Sequence, residues 1–192
     1  MVLIKNGLEI KDSIGVLKKI KMIWEILGQK FYRDFEVLNS YERFEILSDI
    51  KDDIKSGHIA RGVPHIQTVA DAYNRHGQKI HWNLLLNFFK NKIKTYTGKD
   101  VRLYQSWANL SNEENDYKMH SHETDLTCVY FVKGKRFEYG TNFESFIIPF
   151  VENSSLIFNG QIKHSIINMP HELAHQKLNH RYTLVFDFNY IL

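Results

Sequence analysis

Disulfides, membrane spans and runs of one charge are missing from this sequence, and each absence narrows what the protein can be. The single cysteine, Cys128, has no intramolecular partner, which fits a reducing compartment. No apolar run approaches the length of a bilayer-crossing helix and no signal-peptide pattern is present, so we expect a cytoplasmic protein with no membrane association. No Lys/Arg run reaches five residues, and a formal net charge of +3 gives no clear nucleic-acid signature.

The sequence does contain enough apolar material for a packed core. Hydrophobic residues make up 43% of the 192 residues, and aromatic residues make up 14%. These fractions exclude a disordered chain and favour one compact domain. No internal repeat or low-complexity stretch interrupts the chain.

The spacing of apolar residues changes near residue 100, from helical periodicity to strand alternation. Before that point we predict helices over residues 14–27, 39–57 and 80–96. The second is expected to begin at Asn39, whose side chain would form a capping box with Glu42. After that point we predict six strands, over residues 101–107, 126–132, 145–151, 155–159, 162–167 and 181–190.

This order of elements predicts an α+β fold in which helices pack on one face of a β-sandwich or barrel. We divide the chain accordingly. Residues 1–99 are expected to form an N-terminal helical support region, and residues 100–192 a β core that binds metal. Both regions are expected to belong to one compact domain.

Two histidines separated by one residue indicate a metal site in the strand half. On an extended segment, His120 and His122 project from the same side. His164 follows a predicted turn and supplies a third imidazole from a distant strand. Imidazole suits iron, zinc, copper and nickel. The plain alternative is that all three are surface polar residues, since ten histidines are many for 192 residues.

The histidine pair and the apolar strand after it, residues 120–132, resemble the metal strand of the prolyl-hydroxylase-like Fe(II)/2-oxoglutarate oxygenases. The pattern is most similar to a branch found in bacterial and phage genomes, with the form Trp-x-Asn…His-x-His…Ser-Gly-Val-Tyr-Tyr. Three further pieces stand in the family's order: Trp107-Ala-Asn109, Leu156-Ile-Phe158 followed by His164, and Arg181-Tyr-Thr183.

The resemblance implies a double-stranded β-helix, also called a jelly roll, and an Fe(II)/2-oxoglutarate-dependent dioxygenase activity. It implies that His120, His122 and His164 bind the iron. Arg181 would pair with the distal carboxylate of the 2-oxoglutarate cosubstrate, because a guanidinium offers two parallel hydrogen bonds to a carboxylate, and Thr183 would add a hydroxyl. Members of the family act on peptides, nucleobases and small metabolites. The sequence selects neither among these substrates nor an oligomeric state.

The sequence departs from the family pattern at three points. His122 stands where the family has an acidic ligand, so Glu123 or Asp125 is an alternative source of the carboxylate. Phe131 replaces the second tyrosine of the family's strand. His164 and Arg181 are 17 positions apart, a longer separation than is usual, and the extra length is an insert around residues 169–180.

Two other classes of metal protein remain open. His171-Glu172-x-x-His175 matches the zinc metalloprotease pattern, although the one acidic residue at a useful distance, Asp187, falls in a predicted strand. A cupin-like or catalytically inactive barrel that binds metal or ligand is the other alternative. Leu126 and Thr127 stand where a cupin would have a glutamate.

Overall fold

Three helices and eleven strands in two sheets make up the part of the chain that the structure, a computed structural model, describes. That part comprises residues 7–8, 21–26, 28–61, 66–111, 118–134, 140–144, 146–166 and 180–191. The helices are α1 (Ser40–Lys55), α2 (Ala72–His76) and α3 (Ile80–Thr97). The strands are β1 (Gly7–Leu8), β2 (Lys21–Ile26), β3 (Gln29–Phe35), β4 (Ile66–Gln67), β5 (Val101–Ser111), β6 (Leu126–Lys133), β7 (Thr141–Phe143), β8 (Phe146–Ile148), β9 (Ser154–Asn159), β10 (Ser165–Ile166) and β11 (Arg181–Tyr190).

The larger sheet joins strands from both halves of the chain. Its order is β1-β2-β3-β9-β6-β11-β5-β4, and every neighbouring pair is antiparallel. The smaller sheet has the order β10-β7-β8 and is antiparallel as well.

Strand β6 illustrates how the larger sheet is buried on both faces. Cys128, Tyr130 and Val132 belong to a hydrophobic cluster shared with α1 and α3. Val129 and Phe131 point the other way, because alternate residues of a strand face opposite sides, and they pack in a second cluster with β7 and β8. Helices therefore cover one face of the larger sheet and the smaller sheet covers the other. The predicted α+β class is confirmed.

The predictions for the second and third helices are confirmed. The Asn39 side chain accepts a hydrogen bond from the Glu42 backbone N–H, and the Glu42 carboxylate accepts one from the Asn39 N–H, both at 2.9 Å. This is the predicted capping box. Helix α3 ends at Gly98, whose φ of +74° is the left-handed conformation that glycine adopts without strain.

The prediction of a helix over residues 14–27 is wrong where the structure describes that stretch. Lys21–Ile26 is strand β2, and the turn to β3 contains Gly28 at φ +76°. Gly28 therefore lies in the turn of a β-hairpin. Strand β3 in turn pairs with β9, and this long-range pairing outweighs the local helical spacing. Residues 14–20 lie outside the described residues.

The six predicted strands correspond to β5, β6, β8, β9, β10 and β11, although β8 and β10 are shorter than expected. The sequence did not predict β3, β4 or β7, and of these β4 and β7 have only two and three residues. Because β3 pairs with β9, the larger sheet takes strands from both sides of residue 100. The division of the chain at residues 99 and 100 stays a prediction.

Among the described residues, no helix has the length and apolar character needed to cross a bilayer.

Buried carboxylates on α1 form hydrogen bonds and ion pairs with residues of α2 and of the start of α3. Asp49 accepts hydrogen bonds from His81 Nε2 and Trp82 Nε1, both at 2.8 Å, and pairs with Lys79. Asp53 pairs in the same way with Arg75 and His76 of α2. Burial alone would raise the pKa of Asp49, but these hydrogen bonds outweigh it and hold the pKa below its ordinary value.

We predict that Asp49→Asn lowers the free energy of unfolding at pH 7 by roughly 1–3 kcal/mol, because a charged acceptor of several hydrogen bonds is lost. A carboxyl whose pKa is lowered by folding stabilises the protein above its unfolded pKa, about 3.9, and loses that contribution as the pH falls through its folded pKa. The wild-type protein should therefore lose stability below about pH 4 more steeply than the variant. Urea unfolding between pH 7 and pH 3 measures both effects.

Asp52→Asn is the matched control, since Asp52 lies on the same helix and is exposed. Equal losses for the two variants would contradict a special contribution from the Asp49 network.

Candidate metal centre

Three histidines from two distant segments meet because their backbones pair. The His120 N–H donates to the His164 carbonyl (3.0 Å), and the His164 N–H donates back to the His120 carbonyl (2.8 Å). Two residues on, the His122 N–H donates to the Gly160 carbonyl at 2.8 Å. A Cβ on Gly160 would lie 2.5 Å from the carbonyl oxygen of Thr124, so only glycine allows this approach. Backbone geometry therefore sets the register of the histidines.

The three imidazoles face a common point. One ring nitrogen from each lies within 4.8 Å of the others, and the ring centroids are 4.6 to 5.3 Å apart. Within the described part of the chain, no carboxylate or thiol joins this group. The structure thus brings together the three residues that the sequence predicted as ligands.

Each imidazole uses its Nδ1 atom for a hydrogen bond to an oxygen. The distances are all 2.9 Å, from His120 to the Lys118 carbonyl, from His122 to the Asp187 carboxylate and from His164 to the Ile162 carbonyl. Carbonyl and carboxylate oxygens only accept, so Nδ1 carries the proton in each ring. The lone pair of each Nε2 is left for a metal ion.

Burial keeps the imidazoles of His120 and His164 in the neutral form that binds metal. Burial is the largest cause that lowers the pKa of His164 to about 3; the neighbouring His120 and His122 also lower it, and the hydrogen bond to the Ile162 carbonyl raises it. Burial is also the largest reason that the pKa of His120 is lowered. A metal ion therefore competes with few protons for the His120 and His164 rings at neutral pH.

Arg181 and Thr183 line the same pocket as the three histidines. They lie two residues apart on β11 and so share its inner face, and they are 4% and 3% exposed. The Arg181 guanidinium donates to Ser111 Oγ at 3.2 Å. The pocket holds about 590 Å³ of space, counted to its open mouth, and is lined by Gln67, Trp107, Asn109, His120, His122, Thr127, Val129, Phe131, Thr141, His164, Ile166, Arg181, Thr183 and Val185.

This pocket favours an anion. Of the residues lining it in the described part of the chain, one is an arginine and none is an aspartate or glutamate. Apolar side chains, among them Trp107 and Val185, make up much of the remaining wall. In such surroundings the attraction between a guanidinium and a carboxylate is stronger than in water.

The other residues singled out from the sequence lie in different places. The Asp125 carboxylate accepts a hydrogen bond from the Tyr190 N–H at 2.8 Å and does not join the histidine group. Phe131, which replaces the family's tyrosine, lines the pocket. The metalloprotease-like stretch of His171, Glu172 and His175 lies outside the described residues.

Sequence reasoning weighed Asp187 only as a ligand to complete the metalloprotease pattern and missed its position behind His122. Asp187 is fully buried on β11 and contacts both His122 and Thr127. A signal for it was available, because Asp187 is an acid in an apolar strand and shares the face of Arg181 and Thr183. Thr127, considered only for the missing cupin glutamate, is the second partner of this carboxylate.

Comparison with known proteins identifies the fold. No family model and no curated protein sequence matches the chain. Among solved structures, the viral collagen prolyl hydroxylase of Paramecium Bursaria Chlorella virus-1 is similar over 97% of this chain and 98% of its own, with 13% identity and a TM-score of 0.63. The non-haem alpha ketoglutarate dependent carbocyclase SnoK from nogalamycin biosynthesis is similar over 83% of this chain and 79% of its own, with 13% identity and a TM-score of 0.65. HygX from Streptomyces hygroscopicus, solved with nickel, 2-oxoglutarate and hygromycin B, is similar over 83% and 82%, with 8% identity and a TM-score of 0.59.

These neighbours are prolyl-hydroxylase-like and 2-oxoglutarate-dependent enzymes. The resemblance drawn from the sequence is therefore confirmed at the level of the fold, which is a mostly antiparallel β architecture with few helices. At identities of 8–13%, the likeness identifies the fold and leaves the chemistry to this chain's own residues.

We predict that His164→Ala weakens Ni(II) or Zn(II) binding by more than about 100-fold, because one of three candidate ligands is removed. Loss of a residue that only hydrogen-bonds to a ligand costs up to about 100-fold, so loss of a ligand should cost more. Isothermal titration calorimetry on metal-free protein measures this. His58→Ala is the control, since the His58 side chain is 52% exposed and lies outside the histidine group. Unchanged stoichiometric binding by His164→Ala would place the metal site elsewhere.

Proposed function

We propose that this protein is a non-haem Fe(II)/2-oxoglutarate-dependent oxygenase built on a double-stranded β-helix. One observation carries the proposal: three imidazoles with available Nε2 atoms open into the same pocket as a buried arginine and threonine, with no acidic residue on the described part of its wall. A metal ion and an anionic cosubstrate fit side by side in such a pocket. The fold shared with 2-oxoglutarate-dependent enzymes supports this assignment.

The metal would be held by Nε2 of His120, His122 and His164. The fit rests on the donor set, since all three rings present the same nitrogen and all three Nδ1 protons already have acceptors. When bound there with 2-oxoglutarate and dioxygen, Fe(II) supplies the oxidation of a substrate C–H bond coupled to the conversion of 2-oxoglutarate to succinate and CO₂.

Arg181 and Thr183 would orient the cosubstrate by its distal carboxylate. The guanidinium offers parallel N–H donors that match a carboxylate, and its burial makes the pairing strong. Thr183 lies opposite Asn109 on β5, whose side-chain amide approaches the Thr183 hydroxyl at 3.5 Å. The hydroxyl is then held where it can donate to the same carboxylate.

The remaining pocket wall would position the substrate and exclude water. The Trp107 ring lies 5.3 Å from the His122 ring, and the Phe158 ring lies edge-on to His164 at 4.9 Å. These contacts restrict rotation of two of the three imidazoles. Residues 110–116 and 134–142, together with the insert around residues 169–180, are our prediction from the sequence for the segments that select among peptide, nucleobase and metabolite substrates.

A second candidate is a barrel that binds metal or ligand without oxygenase chemistry. The observation that favours it is the ligand set itself, because the described histidine group lacks the carboxylate typical of non-haem iron oxygenases. The two candidates differ in one property. An oxygenase binds 2-oxoglutarate only when metal is present, whereas a plain metal-binding barrel does not bind it in a metal-dependent way.

We predict that Arg181→Ala retains metal and weakens 2-oxoglutarate binding by about 10- to 100-fold, the equivalent of losing charge-assisted hydrogen bonds. The 2-oxoglutarate affinity of Arg181→Lys should lie between those of the wild-type protein and Arg181→Ala, because lysine keeps the charge and loses the paired donors. Calorimetric titration of Ni(II)-loaded protein with 2-oxoglutarate measures both variants.

Arg102→Ala is the control for this experiment, since Arg102 is exposed on the neighbouring strand β5. Normal 2-oxoglutarate binding by Arg181→Ala would refute the role of this arginine. Absence of metal-dependent binding in the wild-type protein would favour the second candidate.

A further inference from the structure

Asp187 is a completely buried carboxylate in the middle of β11. It is 0% exposed and lies opposite Thr127 on β6 and Gln105 on β5. Its Oδ1 accepts from His122 Nδ1 at 2.9 Å and from Thr127 Oγ1 at 2.8 Å, and its Oδ2 accepts from Gln105 Nε2 at 2.9 Å. Three donors from three segments therefore hold one carboxylate in place.

Among the residues that the structure describes, no lysine or arginine balances this carboxylate. Within the described residues, its one partner at ion-pair distance is His122, and no lysine or arginine approaches it. Burying a carboxylate without a compensating charge is strongly unfavourable. A divalent ion on the far nitrogen of His122 would supply the missing positive charge.

The charge of the three-histidine ligand set also favours a pairing between Asp187 and a metal ion, because the ion in turn needs a negative charge nearby. Three neutral imidazoles leave a divalent ion with its full charge, whereas a 2-His-1-carboxylate set neutralises part of it. A carboxylate hydrogen-bonded to a ligating histidine fixes the ring tautomer and makes the ring a better donor.

We propose that Asp187 is the positioning residue of the metal centre. It fixes the His122 tautomer that presents Nε2 and supplies, one imidazole removed from the ion, the negative charge that the three-histidine set lacks. The inference rests on the metal site of the proposed function but does not depend on oxygenase activity.

Asp187→Asn separates charge from shape. The asparagine oxygen can still accept from His122, and Gln105 can turn its amide to accept from the new NH₂ group. We expect Co(II) affinity, measured by calorimetry with the metal alone, to fall by about 10- to 100-fold. Asp125→Asn is the matched control, since the Asp125 carboxylate is hydrogen-bonded to the Tyr190 backbone and to no histidine of the group. The Co(II) affinity of Asp125→Asn should equal that of the wild-type protein.

Repeating the measurement in a His122→Ala background tests whether Asp187 acts through His122. If it does, Asp187→Asn should change the residual affinity by no more than about twofold there, because the partner is already gone. A loss of equal size in both backgrounds would overturn the proposal, since it would mean that Asp187 supports the fold only. So would wild-type affinity in Asp187→Asn itself.

A measurement on the unmutated chain covers the case in which Asp187→Asn does not fold. In ¹⁵N-labelled Zn(II)-loaded protein, the His122 ring should show a protonated, exchange-protected Nδ1 and a metal-bound Nε2. The opposite tautomer would overturn the proposal. Wild-type protein that binds no metal would overturn the metal centre together with this inference, whereas metal binding without 2-oxoglutarate binding would contradict the oxygenase assignment alone.

Discussion

The backbone pairing of His120 with His164 is the contact on which the candidate site depends. Two hydrogen bonds, of 3.0 and 2.8 Å, join residues 44 positions apart and leave their side chains on one side. The bond from His122 to Gly160 extends the pairing by one residue pair and adds the third ring. Because main-chain atoms form these bonds, the register of the ligands does not depend on the metal.

The larger sheet turns this local pairing into a pocket. Alternation along β11 places Arg181, Thr183, Val185 and Asp187 on the face toward the smaller sheet, while Leu184 and Phe186 pack on the helices. One strand thus supplies the candidate cosubstrate residues near one end and the partner of His122 near the other. The helices bury the opposite face of this strand.

Charge explains why an unusual ligand set is consistent with the fold. The wall of the pocket carries an arginine and three imidazoles, and His122 stands where the family pattern that the sequence resembles has an acid. The structure has a carboxylate directly behind that histidine. The negative charge therefore lies one imidazole ring further from the candidate metal position than a ligating carboxylate would, in a buried and hydrogen-bonded location.

Much of the site was predictable from short-range patterns, whereas its support was not. The His-x-His spacing predicted that the His120 and His122 rings face the same side. The order of motifs brought His164, Arg181 and Thr183 into the same hypothesis. Asp187 was missed because its role comes from the register between β11 and β6, which joins residues 60 apart. The error over residues 21–26 has the same origin, since pairing of β3 with β9 decides the structure there and no local spacing reports it.

One anaerobic titration tests whether 2-oxoglutarate binds to Fe(II) held by these three histidines. Fe(II)-loaded protein is titrated with 2-oxoglutarate while the visible metal-to-ligand charge-transfer absorption is followed. We expect a saturable band in the wild-type protein and none in His120→Ala. Stoichiometrically bound iron with no band in the wild-type protein would contradict this binding mode.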